Sequence, residues 1–426
     1  MTPAQIDALG PALADFLQPL LPCCDYPQTF RLLGLYCRGL LSDLDRKSAE
    51  PIALAAGCPA RALQEFLKDH RWSFPQVRDH LQRQVAGQLA RLPADELGNV
   101  GIADETGQVK KGSKTPGVQR QWCGEVGKIE NCIVSVHIGV ARGRYKTLLD
   151  ADLFLPEAWD ADRDRCRAAG IPDDVRYRPK WQIVLGQIDR ACGQGLLFDW
   201  WTFDEGYGGK PGFLQGLQQR RQLYVGEVPK SFRCQGARKR RGRAKSSRAD
   251  DLVRHSPLFT RQRWQRIRLT RQTVAEQEWD VKAARVWLPW DGQRKHWLIW
   301  ARNVHTGEEK YLVSNAPKRT PLLTLLRVAF SRWNIEHDFR VCKGELGFRH
   351  FEGRSYTGLM RHQVLCCLML TFVAEHTERL RGGKCGDNVG AGVPGPEGSV
   401  PGLAGSDAGH ESAGVPVDGH WLSPAA

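Results

Sequence analysis

The sequence lacks the features that would assign it to a zinc-finger, disulfide-rich or membrane class. None of its 13 cysteines stands in a Cys-x-x-Cys pair, and an odd, scattered set favours reduced thiols over metal fingers or disulfides. The longest apolar run, residues 364–374, is about half of the roughly 20 residues that a membrane-spanning helix needs. No basic-then-apolar leader opens the chain. We therefore expect an unexported, cytoplasmic protein that does not enter a membrane.

One residue pair, His362 and Cys366, has the i, i+4 spacing that metal ligands use on a helix. Both residues lie within the apolar run, where side chains at this spacing commonly pack into a core. We interpret them as core residues and expect no metal there.

Positive charge is what the chain has in excess, with 61 Lys and Arg against 47 Asp and Glu, a net charge of +14. The excess is local, because residues 230–271 contain 15 cations and two aspartates and so carry +13 of it. A stretch of this kind repels itself unless a polyanion supplies counter-charge. This pattern predicts DNA binding, above all by a run of four consecutive cations: Arg238, Lys239, Arg240 and Arg241.

Helical spacing of apolar residues dominates the first 95 residues, which are predicted to form an all-α region. Residues 49–56, a Gly-Cys-Pro turn and residues 60–68 resemble a helix-turn-helix, whose second helix would offer Arg61, Gln64 and Lys68 to DNA. An ordinary helical bundle with charged surface positions explains the same pattern equally well.

Strand patterns begin near residue 99 and alternate with helices, which indicates an α/β domain. Aromatic-rich segments at 279–289, 296–302 and 310–314 look instead like an antiparallel β-meander, before helical character resumes at residue 322. We predict a helical DNA-binding region at 1–95, a catalytic domain at 96–229 and 318–381, a basic β-rich insertion at 230–317, and a disordered tail. The tail, 382–426, is rich in Gly, Pro, Ser and Ala and has few large apolar residues to pack.

Two aspartates follow apolar strand residues and shortly precede glycine, Asp104 in Ala-Asp-Glu-Thr-Gly and Asp204 in Phe-Asp-Glu-Gly-Tyr-Gly. Each is predicted to close its strand, which is where an α/β sheet holds active-site residues. A strand-terminal aspartate is also a common turn residue, so neither is specific by itself.

A third acid, Glu336, lies on a helix in Arg-Trp-Asn-Ile-Glu-His-Asp-Phe-Arg-Val-Cys-Lys. Helical spacing puts it on one stripe with Arg332 and Lys343, beside a second, apolar stripe that anchors the helix. A surface ladder of salt bridges is the alternative explanation for such a stripe.

Taken together, these motifs resemble the DDE-class transposases of bacterial insertion sequences, in the group with β-strands inserted between the second Asp and the Glu. The resemblance covers roughly residues 93–375, and it also rests on Gly-Lys-Ile-Glu-Asn-Cys at 127–132 and Tyr-Leu-Val-Ser-Asn-Ala at 311–316. The family signature around the glutamate is Tyr, Arg, Glu and Lys at fixed spacing. Arg332, Glu336 and Lys343 match it, but Ala329 stands at the tyrosine position, so the hairpin DNA intermediate of some relatives is in question.

The resemblance implies an α/β fold with a ribonuclease H-like catalytic domain. Asp104, Asp204 and Glu336 would hold two Mg²⁺ ions, for which Mn²⁺ can substitute, with Asp104 shared by both. Double-stranded DNA, as element ends and as target, would be the partner, and pairing of two ends implies a homodimer. Glu105 and Glu205 are left out of the ligand set because neighbouring strand residues face opposite ways.

Trp264 lies between arginines in the basic stretch and is predicted either to stack on an unpaired base or to anchor a hydrophobic core. For the whole chain we predict a DNA-cleaving and strand-joining transposase. Two alternatives stay open: a catalytically silent DNA-binding derivative and a metal-dependent nuclease that does not transpose.

Overall fold

The computed structural model describes residues 9–236, 246–269 and 277–382 of the chain. The predicted basic run from Arg238 to Arg241 and residues 383–426 of the predicted tail (382–426) lie outside these ranges. Within them, the first 95 residues are helical as predicted, and a short 3-10 helix at Gln18–Cys23 follows the first α-helix. The α-helices of this region are α1 (Leu9–Leu17), α2 (Pro27–Leu41), α3 (Ala49–Ala55), α4 (Ala60–Lys68) and α5 (Phe74–Arg91).

Helices α3 and α4 are joined by a tight turn in which Gly57 has a φ of 65°, a conformation that favours glycine. On α4 the apolar Leu63, Phe66 and Leu67 are buried, while Arg61, Gln64 and Lys68 are exposed as predicted. The outward orientation is therefore confirmed, and a role of this helix in reading DNA stays a prediction.

The first sheet contains five strands, in which β3 pairs with β2, β1 and β4, and β1 also pairs with β5. Only the β1–β5 pairing is parallel; the β1–β3, β2–β3 and β3–β4 pairings are antiparallel. Its strands are β1 (Val100–Val109), β2 (Gln119–Cys123), β3 (Lys128–Arg142), β4 (Tyr145–Leu153) and β5 (Trp200–Phe203).

The prediction that Asp104 closes β1 is wrong, because the strand continues to Val109. Parallel pairing with β5 does stop one residue earlier, at Ala103 opposite Phe203. On the other side, antiparallel pairing with β3 runs on to Val109 opposite Cys132 and keeps β1 extended. Asp104 therefore lies at the end of one pairing and in the middle of another.

Helices cover both faces of this sheet. Those that follow β4 and β5 in the chain are α6 (Glu157–Ala161), α7 (Arg163–Ala168), α8 (Lys180–Gly193), α9 (Glu205–Gly208) and α10 (Pro211–Gln219). The last three helices of the described chain are α13 (Leu322–Phe330), α14 (Trp333–Gly344) and α15 (Tyr356–Gly382).

The long helix α15 is the central element of the core, packing against α2, α4, α5, α14 and β4. Its segment Tyr356–Thr377 is long and apolar enough to cross a membrane by composition alone, but 83% of that window is buried within the protein. His362 and Cys366 are both fully buried there, as the sequence predicted. The His362 Nδ1 atom lies 2.8 Å from the hydroxyl of Tyr36, so this histidine is a hydrogen-bonded core residue.

A second, antiparallel sheet has the order β6-β12-β11-β10-β9, which confirms the predicted aromatic-rich meander. The members of this sheet are β6 (Val225–Glu227), β9 (Gln265–Leu269), β10 (Gln277–Leu288), β11 (Asp291–Asn303) and β12 (Glu309–Ser314). The strand β6 belongs to the predicted catalytic segment yet pairs with β12, so the two segments share a sheet. Between β6 and β9 lie β7 (Arg233–Cys234), β8 (Ser247–Arg248), α11 (Ala249–His255) and α12 (Pro257–Thr260).

Candidate active site

The parallel pairing of β1 with β5 brings the two predicted aspartates together. Its last pair is Ala103 opposite Phe203, and the next residue of each strand is an aspartate, Asp104 and Asp204. The residues just before that point are buried, since Ile102, Ala103 and Phe203 lie in the core. Rigid backbone hydrogen bonds therefore determine the separation of the two carboxylates.

Asp204 also begins the short helix α9, where its Oδ1 accepts a hydrogen bond of 3.2 Å from the backbone N–H of Tyr207. This is a common role for aspartate at a helix N-terminus. Gly208 allows α9 to approach β6, because a Cβ atom there would collide with the carbonyl oxygen of Glu227. The Gly in this motif is therefore required by close backbone packing.

Helix α14 carries the third acid to the same face. Arg332 immediately precedes this helix and donates from Nη1 to Asp104 Oδ2 at 3.2 Å. Its Nη2 lies 2.5 Å from Glu336 Oε1. One guanidinium thus bridges the first and third predicted ligands, and two of the three residues predicted on this stripe, Arg332 and Glu336, reach the site.

The carboxylates perturb one another. Burial raises the pKa of Asp104 well above its usual value, and the nearby charge of Asp204 adds to this rise. Burial, followed by the charge of Glu105, raises the pKa of Asp204 to about 6. Burial alone would lower the pKa of Arg332, but Asp104 and Glu336 raise it above its usual value. The site therefore concentrates negative charge and holds one cation among it.

Sequence reasoning did not identify two further residues at this site, Tyr207 and Lys180. Tyr207 is buried, and its pKa is raised first by burial and then by the charges of Glu105, Asp104 and Asp204. Lys180 Nζ lies 2.6 Å from Glu105 Oε1. Glu105 was left out of the ligand set, and in the structure it is a neighbour of Asp204 that has its own lysine partner. Tyr207 was detectable only as part of the glycine-rich motif after Asp204.

Lys343 is the last residue of the predicted stripe. It lies about two helical turns beyond Glu336, near the end of α14. Its Nζ is 3.9 Å from Glu125 Oε2, and Arg349 Nη1 is 3.5 Å from Glu125 Oε1. Burial lowers the pKa of Lys343, and the Glu125 carboxylate opposes that effect. The stripe thus leads from the acids to a second, cationic cluster.

A cavity of about 220 Å³ opens beside the acids, between α13, α14 and the second sheet. Arg332 and Glu336 line it, together with Ala329, Phe330 and Trp279. The rings of Phe330 and Trp279 are 4.8 Å apart. Ala329 occupies the tyrosine position of the family signature, and its small side chain leaves space there.

The donor set is chemically suited to a hard divalent cation, because carboxylate oxygens are the ligands that Mg²⁺ prefers. The charge of Asp204 adds to the raised pKa of Asp104, and that of Glu105 adds to the raised pKa of Asp204, effects that a bound cation would relieve. Within the described ranges, however, no three acidic, His or Cys side chains stand close enough to hold a metal ion as a group. The Arg332 guanidinium stands where positive charge is needed, between Asp104 and Glu336. The strand pairing thus brings Asp104 and Asp204 together, while Glu336 lies on the other side of the Arg332 guanidinium.

Residues 19–285 match the family model described as DDE superfamily endonuclease. The chain belongs to this superfamily. The matched residues include Asp104 and Asp204 and end before Glu336. The chain is also similar to a probable transposase for insertion sequence element IS701 from Microchaete diplosiphon, with 26% identity over 338 residues, 77% of each chain. Both similarities support an enzyme of the nuclease and transposase class, as the motifs implied.

The remaining predicted DNA contact within the described residues, Trp264, is half-buried near the second sheet. Its ring packs 4.6 Å from that of Trp300, and Lys282 Nζ and the Arg302 guanidinium each lie 4.7 Å from its centre. Stacking of Trp264 on a DNA base stays a prediction, since the packing of its ring against Trp300 also suits a hydrophobic anchor.

Proposed function

We propose that this protein is the transposase of a bacterial insertion sequence, which cuts DNA at the ends of its element and joins the freed 3′-hydroxyl to target DNA. The observation that carries the proposal is the meeting of Asp104 and Asp204 at the end of the β1–β5 pairing, with Glu336 across Arg332. Membership of the endonuclease superfamily and the similarity to a probable transposase support it.

We assign the first sheet and its helices, residues 96–229 and 318–381, to a ribonuclease H-like catalytic domain. The mixed sheet with one parallel pair at the acids supports this assignment. Residues 230–317 would be a basic β-rich insertion, and 1–95 a helical DNA-binding region. A homodimer would form when two element ends are paired, and the protein would work in the bacterial cytoplasm on nucleoid DNA.

Asp104, Asp204 and Glu336 would hold two Mg²⁺ ions, or Mn²⁺ in their place. Such ions activate the attacking oxygen and stabilise the leaving oxygen of a phosphodiester. The protein's own contribution is positional, because the strand pairing keeps the two aspartates rigid.

Arg332 and Lys343 would contact the DNA backbone on either side of Glu336. Arg332 neutralises two carboxylates in the absence of DNA, and a phosphate is a bidentate acceptor that competes for its guanidinium. Arg238, Lys239, Arg240 and Arg241 would add sequence-independent phosphate contacts. Trp264 would stack on an unpaired base.

The decisive experiment incubates the purified chain with a duplex that carries one end of its own element, in Mg²⁺, Mn²⁺ or Ca²⁺. We expect nicking at the element end with Mg²⁺ and Mn²⁺, and a joined product when target DNA is added. Ca²⁺ should support binding without cleavage, because its looser geometry does not organise the reaction.

Each other outcome identifies one of the alternative functions. Cleavage without any joined product would mean a nuclease that does not transpose. Binding of the element end without cleavage in either metal would mean a silent DNA-binding derivative, for which the Gly- and Pro-rich ending and the alanine at position 329 are the motivating features. Absence of binding would contradict the proposal altogether.

A further inference from the structure

The tip of the β2–β3 hairpin, residues 119–131, exposes apolar side chains that no part of the proposed mechanism uses. Trp122 is 57% exposed and Ile129 58% exposed, and the two are direct partners across the hairpin. Val126 in the turn is 42% exposed. We call residues 119–131 the tip hairpin. A tryptophan beside an isoleucine on the surface leaves apolar area exposed to water, which is unfavourable. The pair therefore points to a contact surface.

The tip hairpin is rigidly built. Its four-residue turn is closed by hydrogen bonds from the N–H groups of Val126 and Gly127 to the carbonyl oxygen of Cys123, at 3.1 and 2.9 Å. Gly127 has a φ of 63°, which the turn requires and which favours glycine. Cys123 and Cys132 are buried on the other face of the ribbon. Trp122 and Ile129 are therefore held outward by structure.

The exposed face of the tip hairpin is the face that carries the acids. Successive strand residues alternate between faces, so Ile129 lies on the same face of β3 as His137, eight residues later. His137 is the direct partner of Asp104 on β1. The third-acid helix α14 also packs on this face, since the ring of Phe339 lies 5.2 Å from that of His137. Trp122, opposite Ile129, shares this orientation.

Positive charge surrounds the apolar pair. Residues 110–131 contain five cations and two carboxylates. Of these, Arg120, Lys128, Lys111 and Lys114 are exposed. Glu125, one of the two acids, is half-buried and occupied by Lys343 and Arg349, which ties the tip hairpin to the end of α14. Lys343 and Arg349 thus place positive charge beside the turn of the tip hairpin.

Duplex DNA fits this surface better than a second protein chain does. Three exposed apolar side chains cannot supply the roughly 800 Å² per partner that a stable protein interface buries. An apolar wedge flanked by lysine and arginine is typical of proteins that insert into a DNA groove. The surrounding charge complements phosphate.

We propose that the tip hairpin is a second DNA contact, in which Trp122 and Ile129 pack into a groove of the element-end duplex while Arg120 and Lys128 contact the flanking phosphates. The distance from Asp104 follows from β3: eight residues at about 3.4 Å give about 27 Å. For a duplex that runs along β3, at about 3.4 Å per base pair, the contact falls about eight base pairs from the cleaved bond. This inference rests on the proposed function, and it adds the tip hairpin to the parts of the protein that position the duplex.

The test compares Trp122→Ala, Trp122→Phe and the matched control Leu197→Ala in binding to a duplex that carries one element end. Leu197 is 78% exposed and precedes the amino end of β5, opposite to Asp204. We expect Trp122→Ala to weaken binding about tenfold, in the range of a lost base contact. Trp122→Phe should restore most of the affinity, and Leu197→Ala should match wild type. Thermal unfolding should be unchanged in all three, as for other exposed substitutions.

A photocrosslinking amino acid at position 122 locates the contact directly. We expect crosslinks to nucleotides about eight base pairs from the cleaved bond. Crosslinks to a second protein chain, or an affinity of Trp122→Ala equal to that of wild type, would overturn the inference about the tip hairpin. The proposed function would stand in either case if the wild-type protein cleaves the duplex. If the wild-type protein neither binds nor cuts the duplex, both proposals fall together.

Discussion

Two clusters in this protein combine buried or half-buried carboxylates with an arginine, and they differ in the space beside them. In the first, Asp150 and Asp152 on β4 face Arg190 on α8, whose guanidinium contacts both carboxylates. Gln82 donates a further hydrogen bond of 3.3 Å to Asp150. The second cluster is the candidate active site, where Arg332 contacts Asp104 and Glu336 while Asp204 accepts the Tyr207 amide.

Burial raises the pKa of an aspartate in both clusters, to about 6 for Asp150 and for Asp204. The space open to a ligand beside each cluster separates the two more clearly than the pKa values do. Asp150 borders a cavity of about 10 Å³, which has room for one water molecule at most. Glu336 and Arg332 border a cavity of about 220 Å³. The candidate active site therefore differs from the Asp150 cluster in the ligand-sized space beside Glu336 and Arg332.

The largest expected difference between the clusters is in catalysis. Asp104→Asn, Asp204→Asn and Glu336→Gln should each lower Mg²⁺-dependent cleavage by about three orders of magnitude, because metal ligation is worth several kcal/mol. Asp150→Asn, assayed well below its melting temperature, should retain cleavage. Strand breaks on a denaturing gel give the rates.

Binding of the same duplex serves as the control, and it should survive in all four variants. Substantial cleavage by Asp204→Asn would remove that residue from the ligand set. If the Asp150→Asn variant is folded but does not cleave DNA, the two clusters are coupled in function.

Stability should respond in the opposite sense. Asp150→Asn removes the charge that Arg190 and Gln82 satisfy, and we expect a loss of about 2 kcal/mol in the free energy of unfolding. Asp104→Asn relieves repulsion from Asp204 and should not lower stability, as is common for active-site substitutions. Urea unfolding monitored by tryptophan fluorescence measures both. A less stable Asp104→Asn would show that this aspartate is a structural residue.

Mg²⁺ should stabilise one cluster and leave the other unaffected. For the wild type and Asp150→Asn, Mg²⁺ at ten times its dissociation constant should add about 1.4 kcal/mol to the free energy of unfolding. Asp104→Asn and Asp204→Asn should lose that gain. The readout is the melting temperature against Mg²⁺ concentration without DNA, and an equal shift in all four proteins would place the ion elsewhere.

The smallest expected effect concerns the arginines themselves. Arg332 lies between Asp104 and Glu336, where its charge competes with a bound cation. Arg332→Met should therefore lower the Mg²⁺ concentration at the midpoint of stabilisation by about fivefold. The free energy that corresponds to this change is about that of one partly exposed ion pair. Arg190→Met is the matched control and should leave the midpoint unchanged. A weaker Mg²⁺ response in Arg332→Met would mean that the guanidinium helps to organise the ligands.

Much of the architecture follows from periodicity. The helical first region, the helix that carries Glu336 and the aromatic meander were all predictable, because apolar residues recur at the spacing of each element. The ends of strands were less predictable, as β1 illustrates. Its polar sequence after Asp104 suggests a turn, but pairing with β3 keeps it extended to Val109, and such a partner is invisible in a local pattern.

The candidate site was predictable in its acids and in Arg332, since each stands in a recognisable motif. The bridging position of Arg332, the approach of Glu105 to Asp204, and the pairing of Glu105 with Lys180 depend on contacts between distant segments. The tip hairpin shows the same limit. Trp122 looks like a core residue in sequence, and only the alternation of the folded ribbon turns it outward.

The register of β5 against β1 has a consequence for how such a protein tolerates change. The two aspartates are 100 residues apart in the chain, yet each is the residue directly after a paired strand position. Insertions in the intervening loops and helices leave their separation untouched. A slip of β5 by a single residue would shift Asp204 by about 3.3 Å and turn its side chain to the other face. Within the family we therefore expect the segments between the two strands to vary in length. The four paired positions of β1 and β5 should keep their register.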